Sequence, residues 1–260
     1  MSLLKVENLS KVFGGVHAVE DLSFTINQGK IHSIIGPNGA GKTTLFNLIT
    51  GIYTPTQGRI AFDDKDIVGL APYQLAALGM SRTFQNLQIF FNMSALENVM
   101  VGLHLHLDRR LFPALFRLGG IAAKESQAEE EAADLMRFVG LGQYVGSESS
   151  SMPYGALKRL EIARAMAAKS RILLLDEPAA GLNPSETAEI DELIRKISET
   201  GVTVVLVEHD MHLVMGISDH ILVLDYGKKL AEGTAREVRA NPDVIAAYLG
   251  SGAIGGGHAA

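Results

Sequence analysis

The sequence predicts an α/β protein: a mostly parallel sheet built around a phosphate-binding loop, with a helical segment inserted into it. Three observations predict this. Nearly all-apolar runs at Ile31–Ile35, Ile172–Leu175, Thr203–Val207 and Ile221–Leu224 read as strands covered on both faces. Helical patterns at Ser185–Ser198 and Met211–Ile217 alternate with the later strands, as in parallel-sheet proteins. Gly36-Pro37-Asn38-Gly39-Ala40-Gly41-Lys42-Thr43-Thr44 fits G-x-x-x-x-G-K-[ST] and lies between a strand and a helix.

Each element follows in order. From Leu3 to about Thr83, short β-like runs surround the loop, clearest at Lys5–Leu9, Leu22–Ile26 and Arg59–Phe62. Ile31–Ile35 leads into the loop, and Thr44–Ile49 continues from it as a helix. From about Phe84 to Ala168 the pattern turns helical, with three- and four-residue apolar spacing in Ser94–Leu103, Gln127–Val139 and Ala156–Ala168. Strands return from Arg171, so the helical stretch is an insertion. His104 and His106 sit two apart on a helix and do not face one way, so they read as surface residues. Gly250–Ala260 is rich in Gly and Ala and reads as a flexible tail.

Composition bounds the possibilities. A chain of 260 residues holds one large domain or two lobes with ample core. It has no cysteine, which fits a reducing compartment. No apolar run approaches the roughly 20 residues of a membrane span, and Met1–Glu7 lacks a signal-peptide core. A net charge of −6 argues against broad nucleic-acid binding.

The loop dictates the chemistry. Gly36, Gly39 and Gly41 let the backbone turn tightly and aim N–H groups at one anion. Lys42 adds positive charge for the β- and γ-phosphates, and Thr43 offers a hydroxyl to Mg²⁺. A helix starting near Lys42 turns its positive end to the same place. The strand Ile172–Leu175 then runs into two carboxylates, Asp176 and Glu177, before Pro178 stops it. Strand alternation sends the two acids to opposite sides, giving Asp176 to Mg²⁺ and Glu177 to the attacking water.

With these motifs in place, the chain resembles an ATP-binding cassette (ABC) ATPase subunit from about Leu3 to Gly250. The resemblance implies a P-loop cassette with an N-terminal antiparallel β subdomain and an inserted α-helical subdomain. It also implies a division into a nucleotide-binding core (1–84 and 170–235), a helical subdomain (85–169), C-terminal helices (236–250) and a tail (251–260). Phe13 matches the aromatic that stacks on adenine. Gln85, in Arg82-Thr83-Phe84-Gln85-Asn86, matches the glutamine that links Mg²⁺ and water to the helical lobe. Ala179-Ala180-Gly181-Leu182-Asn183-Pro184 matches a loop crossing to a partner subunit, and His209 the histidine that contacts the γ-phosphate. The catalytic set is then Glu177, His209 and Gln85, with Thr43, Gln85 and Asp176 at the metal. ATP and Mg²⁺ are the implied cofactors, and the active unit is a dimer closing on two ATP molecules.

One element departs from the family. Where it has Leu-Ser-Gly-Gly-Gln or close to it, this chain reads Met152-Pro153-Tyr154-Gly155-Ala156. Pro153 lacks a hydroxyl and an N–H, although proline suits a first helical turn and Gly155 still offers an amide. Ser151 next door is an alternative hydroxyl. Because the family's signature acts on ATP held by the other subunit, the departure points to two unequal ATP sites and a different ATPase subunit as partner, with a heterodimer or a homodimer both left open by the sequence.

Finer likeness points to the ATP-binding subunits of branched-chain amino-acid importers. It is carried by Gly36–Asn47, Arg82–Asn86, Leu96-Glu97-Asn98-Val99, Val207–Met211 with Val214–Asp219, and Asn241–Val244 with Ala247–Gly250. An extension at about 104–123, holding the basic and apolar Arg109–Arg117, fits that group and either packs on its own lobe or touches the membrane subunit. A coupling groove is expected near Gln85–Phe91. The resemblance implies separate membrane-spanning permease subunits, a solute-binding protein reached through them, and a place on the cytoplasmic face of the inner membrane. A cassette for lipopolysaccharide, urea or another amide would look nearly the same. A soluble ABC ATPase acting on DNA or ribosomes would carry two cassettes, a coiled coil or zinc modules, and none is visible.

Overall fold

A computed structural model describes residues 1–104 and 121–254, with the backbone alone for 121–124 and 249–254. The chain opens with β1 (Ser2–Phe13), β2 (Val16–Asn27) and β3 (Ile31–Ile35), then α1 (Lys42–Ile49), β4 (Gln57–Phe62), β5 (Lys65–Asp66), α2 (Pro72–Ala77) and β6 (Met80–Arg82). Next come α3 (Ala95–Leu103), α4 (Ile121–Phe138) and α5 (Tyr154–Ala167). The second half is β7 (Ile172–Asp176), α6 (Pro184–Glu199), β8 (Thr203–Val207), α7 (Met211–Ile217), β9 (His220–Asp225), β10 (Lys228–Gly233), α8 (Ala235–Ala240) and α9 (Pro242–Ile254).

Two sheets result. An antiparallel sheet has the order β2-β1-β4-β5, and a six-stranded sheet runs β10-β9-β3-β8-β7-β6. In the larger sheet every pairing is parallel except that of β10 with β9. The expected fold class is therefore present, with the antiparallel sheet N-terminal and, among the described residues, three α-helices inserted between β6 and β7.

The apolar strands are explained by burial on both faces. Leu173, Leu175, Val204, Leu206, Ile221 and Val223 enter one core, shared with α3 to α7. Their neighbours Ile172, Leu174, Val205, Val207, Leu222 and Leu224 enter a second core with β1, β2, β4 and α1. Each fully buried side chain of this size contributes about 1.5–3 kcal/mol relative to exposure. That two-sided packing fixes the ends of β3, β7 and β8, which carry the loop, the acid pair and His209.

Helix starts are set by caps. Ser94 caps α3 with a reciprocal Glu97 contact, Asn183 caps α6 with Glu186, and Thr234 caps α8 with Glu237. Among the described residues no helix is long and apolar enough to cross a membrane. His104 is the exposed C-cap of α3; His106 and Arg109–Arg117 lie outside the described residues. The last helix runs to Ile254, and residues 255–260 also lie outside them.

Candidate active site

The phosphate loop joins β3 to α1. A Cβ on Gly36 would lie 2.2 Å from the Leu224 carbonyl oxygen, and one on Gly41 (φ 97°) 2.4 Å from that of Ala18. Only glycine lets the loop sit this close to its neighbours. Gly227 donates its N–H to the Ala40 carbonyl at 3.0 Å, pinning the loop from the β9–β10 turn. No side chain caps α1 and no acid lies in its first turn. Its N–H donors are left for an anion. Lys42 Nζ donates to the Gly36 and Pro37 carbonyls at 2.6 and 3.0 Å. Burial pushes its pKa below the usual lysine value, against the pull of Glu177 and Asp176. A phosphate would restore a full countercharge.

The acid pair sits two strands away in the sheet. Asp176 ends β7, buried, with its N–H donating to Thr83 Oγ1 at 3.3 Å. Glu177 has left the strand, with φ at 48° and its N–H bonded to the Val207 carbonyl at 2.9 Å. This corrects the strand-alternation expectation: a left-handed backbone turn separates the two carboxylates. A non-glycine residue in that region is costly and recurs at functional sites. Gln85 Nε2 donates to Glu177 Oε2 at 3.1 Å, and His209 Nδ1 lies 3.9 Å from the same oxygen.

A cleft of about 450 Å³ gathers much of this set. Asn38 to Thr44, Gln85 and Glu177 line it with Val16, His17, Ala18 and Tyr226. Asp176 lies buried beneath, and His209 is exposed at the edge of Glu177. Phe13 stands outside the lining; its hairpin partner Val16 is in it. The Phe13 ring meets Tyr53 edge-on, centroids 5.3 Å apart, with Lys11 Nζ 4.9 Å from its centroid.

The donors suit Mg²⁺. Thr43 offers a hydroxyl, Asp176 a carboxylate and Gln85 an amide oxygen, which are hard ligands for a hard cation. Among the described residues no cluster of three His, Cys, Asp or Glu side chains could hold a metal by itself. A cation held by these donors would need further ligands from phosphate or water.

The segment at Pro153 is separate from this cleft. Pro153 is the N-cap of α5 (φ −66°, ψ 156°), one position ahead of the first turn where proline had been expected. Tyr154 Oη donates to the Ala180 carbonyl at 3.4 Å, and its ring packs on Gly181. A Cβ on Gly155 would meet Glu186 Oε1 at 2.5 Å. Ser151 Oγ donates to the Glu148 carbonyl at 2.8 Å.

Sequence reasoning missed several supporting residues. Arg82 pairs with Asp176 at 2.6 Å in a buried contact. Lys158, buried on α5, donates from Nζ to the Gln85 carbonyl at 3.3 Å. Buried Glu208 accepts from the Ala179 and His209 N–H groups at 3.0 and 3.1 Å, and burial raises its pKa. It ties the 179–184 loop to the His209 segment. Adjacent polar types were the available signal, but their partners are distant in sequence. A second cleft, about 370 Å³, opens between the α1–α2 region and α3 with α5, and includes Thr50, Arg82, Phe84, Val101, Glu161 and Arg164.

An uncapped helix start behind a glycine loop, facing a strained glutamate steered by a glutamine, is the working geometry of a P-loop ATPase. Comparison with known proteins narrows the class. The ABC transporter family matches residues 19–180, and a branched-chain amino acid ATP-binding cassette transporter family matches residues 228–254. The high-affinity branched-chain amino acid transport ATP-binding protein BraF of Pseudomonas aeruginosa is 47% identical over 95% of this chain and 98% of its own length. A structure of the ADP conformation of MJ1267, an ATP-binding cassette of an ABC transporter, has a TM-score of 0.84 at 32% identity, covering 96% of this chain and 99% of that one. The dimeric structure of MJ0796, a bacterial ABC transporter cassette, has a TM-score of 0.76 at 26% identity, covering 90% and 99%. The chain belongs to the ATP-binding cassettes of ABC transporters, in the branched-chain amino-acid group, and is an ATPase.

Proposed function

We propose that this chain hydrolyses ATP to drive import of branched-chain amino acids through separate membrane-spanning permease subunits. One observation carries the coupling: Gln85, at the start of the inserted segment, hydrogen-bonds Glu177 in the cleft that holds Lys42. Whatever moves the inserted segment moves the group beside the reacting water. Likeness to BraF supports the cargo.

Roles follow from position. The loop from Gly36 to Thr44 cradles the phosphates, Phe13 meets the base, and Lys42 exchanges its carbonyl partners for phosphate oxygens. Thr43, Asp176 and Gln85 would hold Mg²⁺, which would supply charge neutralisation to the phosphates when bound. Glu177 orients the attacking water and takes its proton, while His209 contacts the terminal phosphate. The assembly is a dimer, as the dimeric MJ0796 cassette supports. It is held peripherally on the cytoplasmic face of the membrane, with a solute-binding protein acting through the permease. The nucleotide-binding core is 1–84 with 170–235, the helical subdomain 85–169, and the coupling surface the second cleft with Gln85–Phe91. Because Pro153 offers no hydroxyl or N–H, the site it completes on the partner turns over differently from the site on Lys42.

Reconstitution in liposomes with the permease and solute-binding protein from the same cell tests the proposal. ATP-dependent uptake of labelled leucine is expected. Uptake of urea or an amide instead of leucine would reassign the cargo; recovery of the chain with nucleic acid and no membrane protein would overturn the transport role.

A further inference from the structure

The ion pair beneath the site also reaches the second cleft. Arg82 Nη2 donates to Asp176 Oδ2 at 2.6 Å, with side chains 7% and 6% exposed. Nη1 donates to Asn47 Oδ1 at 2.6 Å and to Thr50 Oγ1 at 3.1 Å, both at the far end of α1. The guanidinium carbon lies 5.4 and 5.1 Å from the Phe46 and Phe84 ring centroids. The buried Nε atom has no hydrogen-bond partner among the described residues.

Stability alone does not explain this arrangement. A buried ion pair often adds nothing over apolar packing of the same volume. What a guanidinium fork adds is direction, because it is planar and its donors are fixed. It holds one Asp176 oxygen, while Oδ1 takes no hydrogen bond among the described residues. On the reading of Asp176 as a metal ligand, Oδ1 would be the oxygen offered to a hydrated cation. The same arginine lines the second cleft, as do its partners Thr50 and Phe84. A body seated there would lie against the Phe84 ring and the Thr50 hydroxyl, both in contact with the guanidinium.

We propose that Arg82 is a positioning residue that carries the state of the inter-lobe cleft to Asp176 and so sets how tightly Mg²⁺ is held beside the nucleotide. The proposal rests on the reading of Asp176 as a metal ligand. It gives the cleft two routes to the site. Phe84 and Gln85 lead to the carboxylate at the water, and Arg82 leads to the carboxylate at the metal.

Mn²⁺ binding in the presence of ADP, read by electron paramagnetic resonance on the full chain, tests this without turnover. Arg82→Lys keeps the charge and loses the fork. It should raise the half-saturating Mn²⁺ concentration about tenfold, with metal-free ADP affinity unchanged. The chain has no cysteine, so Val101→Cys, on the cleft wall, accepts a single bulky maleimide. The label should shift the Mn²⁺ midpoint about threefold to tenfold with Arg82 present and leave it unmoved in Arg82→Lys. An unchanged midpoint in Arg82→Lys, no label effect with Arg82, or a full label effect without it would overturn the proposal. Should Arg82→Lys not fold, Asn47→Ala removes one brace of the guanidinium and leaves the ion pair; the same criteria apply to it. Failure of the unmodified chain to bind Mn²⁺ with ADP would remove the metal-site reading itself, and this proposal with it.

Discussion

Two helix starts, at Lys42 and at Tyr154, differ from the capped ones and from each other. The helices α3, α6 and α8 begin in capping boxes that satisfy their own N–H groups. Neither α1 nor α5 has a side-chain cap or an acid in its first turn. Yet α1 opens on a cleft with a lysine and glycine backbone, whereas α5 begins against the Glu186 carboxylate and lays Tyr154 on the 179–181 loop. The first is a finished anion site. The second has no cation in its first turn and already faces an acid, which fits the proposal that an anion brought to it is held by another subunit. On the proposed function, the contrast fits a cassette whose α1 end binds ATP and whose α5 end completes the site of a second subunit.

Glu177→Gln sharpens the contrast most. Turnover should fall by about 10²–10⁴-fold, while ATP stays bound at the α1 end and against the partner's α5 end. A stable ATP-bound dimer in size-exclusion chromatography is the expected result; normal turnover would remove Glu177 from the chemistry. Lys42→Ala should break the α1 site directly. Losing a charge-assisted contact weakens ATP binding by about tenfold to a hundredfold, and the dimer should no longer form with ATP. Equilibrium binding of a fluorescent ATP analogue measures it.

The α1 site was legible because its meaning is local. Gly36 to Thr44 are consecutive, and the strand and helix around them are read from a few neighbouring residues. Strands β3 and β8 fell on the predicted residues for the same reason: burial on both faces leaves an uninterrupted apolar run. The supports of the site were not legible. Arg82 reaches Asp176 across 94 positions and Lys158 reaches Gln85 across 73. No periodicity marks such pairs. The backbone at Glu177 was misjudged because alternation assumes the strand continues, and here a left-handed turn ends it.

Pro153→Ser tests the other helix start. A serine at the N-cap can hold an N–H of the first turn or face a phosphate on the partner. The change is worth one neutral hydrogen bond, up to about tenfold. It should appear at one of the two ATP sites in single-turnover hydrolysis by the assembled transporter. Equal rates at both sites before substitution would dissolve the asymmetry.

The smallest effect belongs to a capped helix and serves as the control for the comparison. Ser94 Oγ accepts the Glu97 N–H at 3.2 Å, and Glu97 Oε2 accepts the Ser94 N–H at 2.7 Å. These contacts hold the Glu97 carboxyl below the usual carboxylate range. Ser94→Ala should cost about 1 kcal/mol of stability in denaturant unfolding, with ATP affinity unchanged. The reason is positional: the N–H group freed at α3 faces water, not the nucleotide cleft. If removing this cap altered ATP binding as much as Lys42→Ala does, an uncapped helix start would no longer distinguish a binding end from a structural one.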